Sequence, residues 1–139
     1  MKLAVRYYTK SGNTKKLADA IAGVIGVKAK TLDVNIEHDT DILFLGSSVY
    51  GAGVDQKVKD FITNINPNIK KVVCFSTATI LKSSYSQVIK LLSERNIKVD
   101  EREFHCRGSF TIMHKGRPNI KDIADAEKFT REILKDIVK

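Results

Sequence analysis

Apolar and polar positions alternate along this chain in two rhythms. Short apolar runs of strand length recur at Lys2–Tyr8, Ile42–Gly46 and Lys71–Ser76. Stretches with apolar residues three and four apart fall between them, the spacing of a helix with one buried face. The first such helix is expected over Asn13–Ile25, with Leu17, Ile21, Val24 and Ile25 on one side and Gly26 as its stop. Val27–Asp33 alternates as a strand covered on one face. Asn35–Thr40 is a polar connection, and Ser47–Gly53 a loop of small residues. A second helix is expected from Val54 to Asn64, its face formed by Val54, Val58, Phe61 and Ile62, with Ile65 just beyond. A third, after a loop at Thr77–Leu81, covers Lys82–Asn96 and turns Tyr85, Val88, Ile89 and Leu92 inward. Ile97–Cys106 has the polar content of an edge strand. A long loop, Arg107–Pro118, leads to a last helix at Asn119–Val138 with Ile123, Ala126, Phe129, Ile133 and Ile137 on its core side.

Strand and helix thus alternate five times, which predicts an α/β fold: a parallel sheet with helices on both faces, in a single domain over residues 1–139. Right-handed crossovers leave few strand orders. A ligand in such a sheet binds beyond the carboxyl ends of its strands, where the order reverses.

Composition narrows the class. The chain is 42% hydrophobic and 29% charged, an ordinary balance for a globular protein that buries a core. No apolar run approaches a membrane span, and the first strand is too short for a signal-peptide core, so a cytoplasmic location and no membrane partner are expected. Cys74 and Cys106 form no Cys-x-x-Cys pair, and the three histidines have no metal-ligand spacing with them. Neither a disulfide framework nor a metal site is expected. The net charge of +8 is compatible with nucleic acid, an anionic surface or an acidic protein partner, and more often marks a solvated surface with extra lysines. The cations are dispersed and not interleaved with aromatics, so no specific nucleic acid is expected.

The chemistry concentrates in the turn Thr9-Lys10-Ser11-Gly12-Asn13-Thr14, between the first strand and the first helix. A helix N-terminus carries unpaired N–H groups and partial positive charge, which favour an anion. Gly12 lets backbone approach closely. One hydroxyl suffices as an ordinary helix cap; this turn has three, with an Asn and a Gly, which points to a phosphate group. It lacks both the P-loop and the Gly-x-Gly-x-x-Gly patterns, so neither NTP hydrolysis nor dinucleotide binding has direct support.

These residues resemble the flavodoxin family. Tyr8-Thr9-Lys10-Ser11-Gly12-Asn13-Thr14 matches its Thr/Ser-x-Thr/Ser-Gly-x-Thr phosphate loop. Leu45-Gly46-Ser47-Ser48-Val49-Tyr50-Gly51 is similar to its Gly-Ser-Pro-x-Tyr-x-Gly flavin loop. Phe104-His105-Cys106-Arg107-Gly108 and Gly116-Arg117-Pro118-Asn119 resemble a subgroup of small flavodoxin-like proteins. The resemblance implies a flavodoxin-like three-layer sandwich with a five-stranded parallel sheet of order 2-1-3-4-5 and FMN at its switch point. It implies that Thr9, Lys10, Ser11, Gly12, Asn13 and Thr14 hold the FMN phosphate. Ser47, Ser48, Val49, Tyr50 and Gly51 would line the ring, with Tyr50 stacking on it, and Ser76, Thr77, Ala78 and Thr79 would border the third side. Gly51 would permit a peptide flip that offers a carbonyl to flavin N5.

Three features depart from the family pattern: the basic charge, Lys10 within the phosphate loop, and a loop after the fourth strand without an aromatic or acidic residue. The resemblance implies an FMN-binding electron carrier, in which no side chain acts as acid, base or nucleophile. Its partner would be a redox protein, with an acidic one favoured by the charge, and the protein itself a monomer or weak dimer. The alternatives are a small FMN-dependent reductase of a quinone or porphyrin precursor, with His114 and Arg117 bordering a substrate cavity, and a non-redox interaction domain.

Overall fold

A computed structural model describes residues 1–9, 12–49, 55–78, 85–107 and 116–137. The elements run β1 (Leu3–Tyr7), α1 (Asn13–Ile25), β2 (Lys30–Thr31), β3 (Thr40–Val49), α2 (Gln56–Thr63), β4 (Ile69–Ala78), α3 (Tyr85–Ser93), β5 (Lys98–Arg107) and α4 (Ile120–Ile137). All strand pairs are parallel, in the order β2-β1-β3-β4-β5. This is the expected flavodoxin-like architecture.

Alternation along the strands builds two cores. Val5, Tyr7, Phe44, Val73 and Phe75 face α1 and α4, while Ala4, Leu43, Leu45, Val72 and Cys74 face α2 and α3. Both faces of β3 and β4 are covered, which is why their sequences read as unbroken apolar runs. Phe44 and Phe75 are each 1% exposed, and burying a side chain of that size contributes roughly 1.5–3 kcal/mol.

Three features of the sheet are not in the sequence expectation. The strand expected over Val27–Asp33 pairs with β1 only at Lys30 and Thr31. The Val34 amide donates to the Thr31 carbonyl, a turn that takes the chain out of the sheet at once. The buried Arg6 holds that connection, donating to the carbonyls of Val34 at 2.8 Å and Asn35 at 3.4 Å. Secondly, β3 and β4 run past their apolar cores: Ser47, Ser48, Val49, Thr77 and Ala78 are strand, not loop. Their parallel pairing, Ser47 with Ser76, Ser48 with Thr77 and Val49 with Ala78, satisfies the backbone. Thirdly, the β5 register slips between Val72 and Cys74, whose neighbours there are Val99 and Glu103. Asp100, Glu101 and Arg102 bulge opposite Val73, and the bulge is pinned. The Asp100 carboxylate, 3% exposed, accepts from Lys71 Nζ at 2.7 Å and Arg102 Nε at 3.0 Å, Arg102 also pairs with Asp136 of α4, and the Tyr85 hydroxyl donates to the Asp100 carbonyl.

Candidate functional site

Helix α1 begins differently from α2 and α4. The N-cap of α2 is Asp55, whose carboxylate accepts from the Lys57 amide at 2.9 Å. Helix α4 opens on a reciprocal pair: Asn119 Oδ1 accepts from the Asp122 amide at 2.9 Å, and Asp122 Oδ2 from the Asn119 amide at 2.8 Å. The N-cap of α1 is Gly12, in the left-handed region at φ 88°, with no side-chain cap bond and no acidic residue in the first turn. A side chain is uncomfortable at that φ, and Gly is not. The Gly12 amide instead donates to Thr9 Oγ1 at 2.9 Å. A hydroxyl that accepts there keeps its own proton for a second partner. A helix terminus without a cap from its own N-cap residue is of the kind that favours an anion.

The first turn of α1 meets the ends of β3 and β4. Thr14 is fully buried, and its Oγ1 lies 2.6 Å from Ser48 Oγ, 2.9 Å from Thr77 Oγ1 and 3.4 Å from the Ser47 carbonyl. Ser48 Oγ in turn reaches the Tyr8 carbonyl at 3.4 Å. On the opposite face of the sheet the register puts Ser47, Ser76 and His105 in one row across β3, β4 and β5. Ser76 is 1% exposed, and its Oγ has no hydrogen-bond partner. An orphaned hydroxyl is costly in a core and fits a position that meets a ligand.

Of the residues expected to form the site, the structure therefore brings together Thr9, Gly12, Thr14, Ser47, Ser48, Ser76 and Thr77, with the buried Asn13 in the first turn of α1. Val49 and Ala78 end their strands as backbone neighbours. Lys10, Ser11, Tyr50, Gly51 and Thr79 lie outside the described residues, as does His114. Arg117 is engaged elsewhere: it holds Asp122 through Nε at 2.5 Å and a second nitrogen at 2.7 Å.

Sequence reasoning missed the His105–Glu103 pair, 3.2 Å apart beside the Ser76 row, because only strand register places it there. It also missed Lys57, whose Nζ lies 6.0 Å from the centre of the Tyr8 ring. The two thiols are poor nucleophiles. Burial pushes both Cys74 and Cys106 up to about 12, so neither is a thiolate at neutral pH. Among the described residues no group of three or more His, Cys, Asp or Glu side chains is placed to hold a metal, and no helix is long and apolar enough to cross a membrane.

A family profile described as "Flavodoxin domain" matches residues 4–128. The chain belongs to the flavodoxin-domain family. It is 28% identical over 138 residues to an uncharacterised protein of Methanocaldococcus jannaschii, covering 89% of this chain and 91% of the relative. Among solved structures it resembles a flavodoxin from the domain Archaea, with a TM-score of 0.82, 20% identity and 100% of each chain covered. It also resembles oxidised flavodoxin 2 from Bacillus cereus, with a TM-score of 0.70, 18% identity, and 98% and 99% of the two chains covered. At those identities the likeness is one of fold.

Proposed function

We propose that this protein binds FMN and carries electrons through it. The observation that carries the reading is the first turn of α1, which Gly12 leaves without a side-chain cap or acidic residue, set against strand ends that finish in Ser47, Ser48, Ser76 and Thr77. Such a terminus accepts a phosphate, and the orphaned Ser76 hydroxyl, on the other face of the sheet, offers a polar contact to another part of the ligand. Thr9, Gly12, Asn13 and the first-turn amides would hold the phosphate, with Lys10 and Ser11 of the same motif. Ser47 and Ser76 would meet the ring, and Tyr50 of the second motif would stack on it. When bound, FMN supplies the redox chemistry, and the protein supplies binding, exclusion of water and electrostatic tuning. The net charge of +8 favours an acidic redox partner, through faster, salt-sensitive encounter.

The test is a visible absorption spectrum of the purified protein, with titrations of the flavin-free protein by FMN and riboflavin. A bound flavin spectrum and FMN preferred over riboflavin are expected. Absence of flavin binding would overturn the reading. Steady turnover of NAD(P)H with a small-molecule quinone, and no electron delivery to a protein acceptor, would replace the carrier by a reductase.

A further inference from the structure

The second half of β5 carries a charge pair that the flavin reading does not use. His105 Nδ1 lies 3.2 Å from Glu103 Oε1, with the two side chains 40% and 18% exposed. Residues two apart on a strand share a face. Register sets both beside β4, Glu103 next to Cys74 and His105 next to Ser76. Cys74 belongs to the core against α2 and α3, so the pair is on that face of the sheet. Neighbouring strands are about 4.8 Å apart. The pair therefore stands one strand away from the Ser76 hydroxyl, which is buried and has no hydrogen-bond partner.

Among the described residues, the other ionisable groups around the pair are neutral or matched. On the same face, burial pushes the Cys74 thiol up to about 12 and raises the Tyr85 phenol of α3, so both are neutral at pH 7. On the opposite face Arg117 and Asp122 hold each other. At the bulge Asp100 is matched by Lys71 and Arg102, and Arg102 also by Asp136. That leaves a histidine, the side-chain type that ordinarily changes charge between pH 5 and 8. With Nδ1–H held on the Glu103 carboxylate, Nε2 is the nitrogen that takes up a proton. The protonated pair sums to zero charge; the neutral imidazole leaves one negative charge on Glu103. We propose that the His105–Glu103 pair couples pH to the reduction potential of the flavin that the proposed function places against Ser76. The proposal rests on that reading. An electron reaches the flavin from the redox partner protein, and a solvent proton then binds His105 Nε2 more tightly, because the bound flavin has become more negative. The coupling is reciprocal. A pair at zero charge favours the reduced flavin and a pair at minus one disfavours it, so the potential falls as pH rises through the His105 titration.

Redox titrations of the FMN complex from about pH 5.5 to about pH 8.5, for wild type, His105→Gln and Glu103→Gln, test this. Proton NMR follows the His105 ring in the oxidised and reduced complexes, its signal assigned by its loss in His105→Gln. Reduction should raise the proton affinity of His105 by about twofold to fivefold, the scale of an exposed charge pair. His105→Gln should remove the step from the pH profile of the more negative couple and hold the potential near the wild type's value at high pH. Glu103→Gln should raise the potential at high pH and move the step to lower pH, since His105 loses the carboxylate that favours its proton. A pH profile in His105→Gln identical to that of wild type would overturn the proposal. So would identical His105 titrations in the oxidised and reduced complexes. In both cases flavin is bound and the FMN reading survives. A wild type that binds no flavin ends that reading, and the proposal with it.

Discussion

The Phe75 ring lies across Gly46, its register neighbour on the adjacent strand, so closely that a Cβ on Gly46 would come within 2.4 Å of the ring edge. The glycine admits the ring, since Phe75 is 1% exposed in the core cluster that includes Val5, Phe44 and residues of α1. Gly46→Ala is therefore an overpacking substitution. A loss of about 1–3 kcal/mol is expected, read as a lower denaturation midpoint in urea. Gly46→Ala with Phe75→Leu should recover part of it. An unchanged midpoint in the single variant would mean the ring moves aside at no cost.

The Asp100 bulge predicts acid sensitivity. Burial alone would raise the Asp100 carboxyl, but hydrogen bonds from Arg102 and Lys71 outweigh it and hold the group well below the usual carboxylate range. A carboxyl depressed in the folded state adds stability above its unfolded pKa of about 4 and loses it as pH falls from there towards the folded value. Asp122, also held low against its burial by Arg117 and the Asn119 amide, acts in the same sense. Asp100→Asn should cost roughly 1.5–3 kcal/mol at neutral pH and flatten the stability profile below about pH 4. Urea midpoints from pH 3 to pH 7 check both. A variant as acid-sensitive as the wild type would remove Asp100 from the account.

Thr9 borders the proposed anion site and accepts a hydrogen bond from the Gly12 amide. Thr9→Val removes that acceptor and the hydroxyl's own donor. FMN affinity should fall by roughly 1–3 kcal/mol, and riboflavin affinity much less. Thr9→Ser should retain most of it. Equal losses for the two flavins would point to a general loosening of the loop.

Electrostatics should tune the bound flavin. Positive potential favours the more negatively charged reduced form and so raises the more negative couple. Lys15, on the first turn of α1, is tied to Asp19 at 2.7 Å, which offsets much of its field and leaves Lys10 of the motif as the test residue. Lys10→Gln and added salt should both lower that potential, modestly, since charges beyond about 8 Å are screened at physiological salt. A redox titration unmoved by either would rule the effect out.

Neither thiol should react readily. Cys74 and Cys106 are both pushed up to about 12 by burial, so alkylation at pH 8 should be slow in the native protein and fast in denaturant. Rapid native labelling of Cys106 would show that the β5 end opens more than its packing implies.

The sequence by itself determined the alternation of strands and helices, since apolar period follows directly from which side of each element meets a core. It also determined the chemistry of the first turn, because a glycine and hydroxyls ahead of a helix are local features. Only the tertiary structure decided how far β3 and β4 extend. Ser47, Ser48 and Thr77 look like loop residues, and become strand because each finds a neighbour on the adjacent chain segment. It also decided where the Thr14 hydroxyl goes. Its contacts with Ser48 and Thr77, far away in sequence, cannot be read from the spacing of the motif. The same holds for Asp100 and Gly46, whose neighbours Lys71 and Phe75 are set by strand register. Local pattern specifies elements, and non-local pairing specifies what each polar group touches.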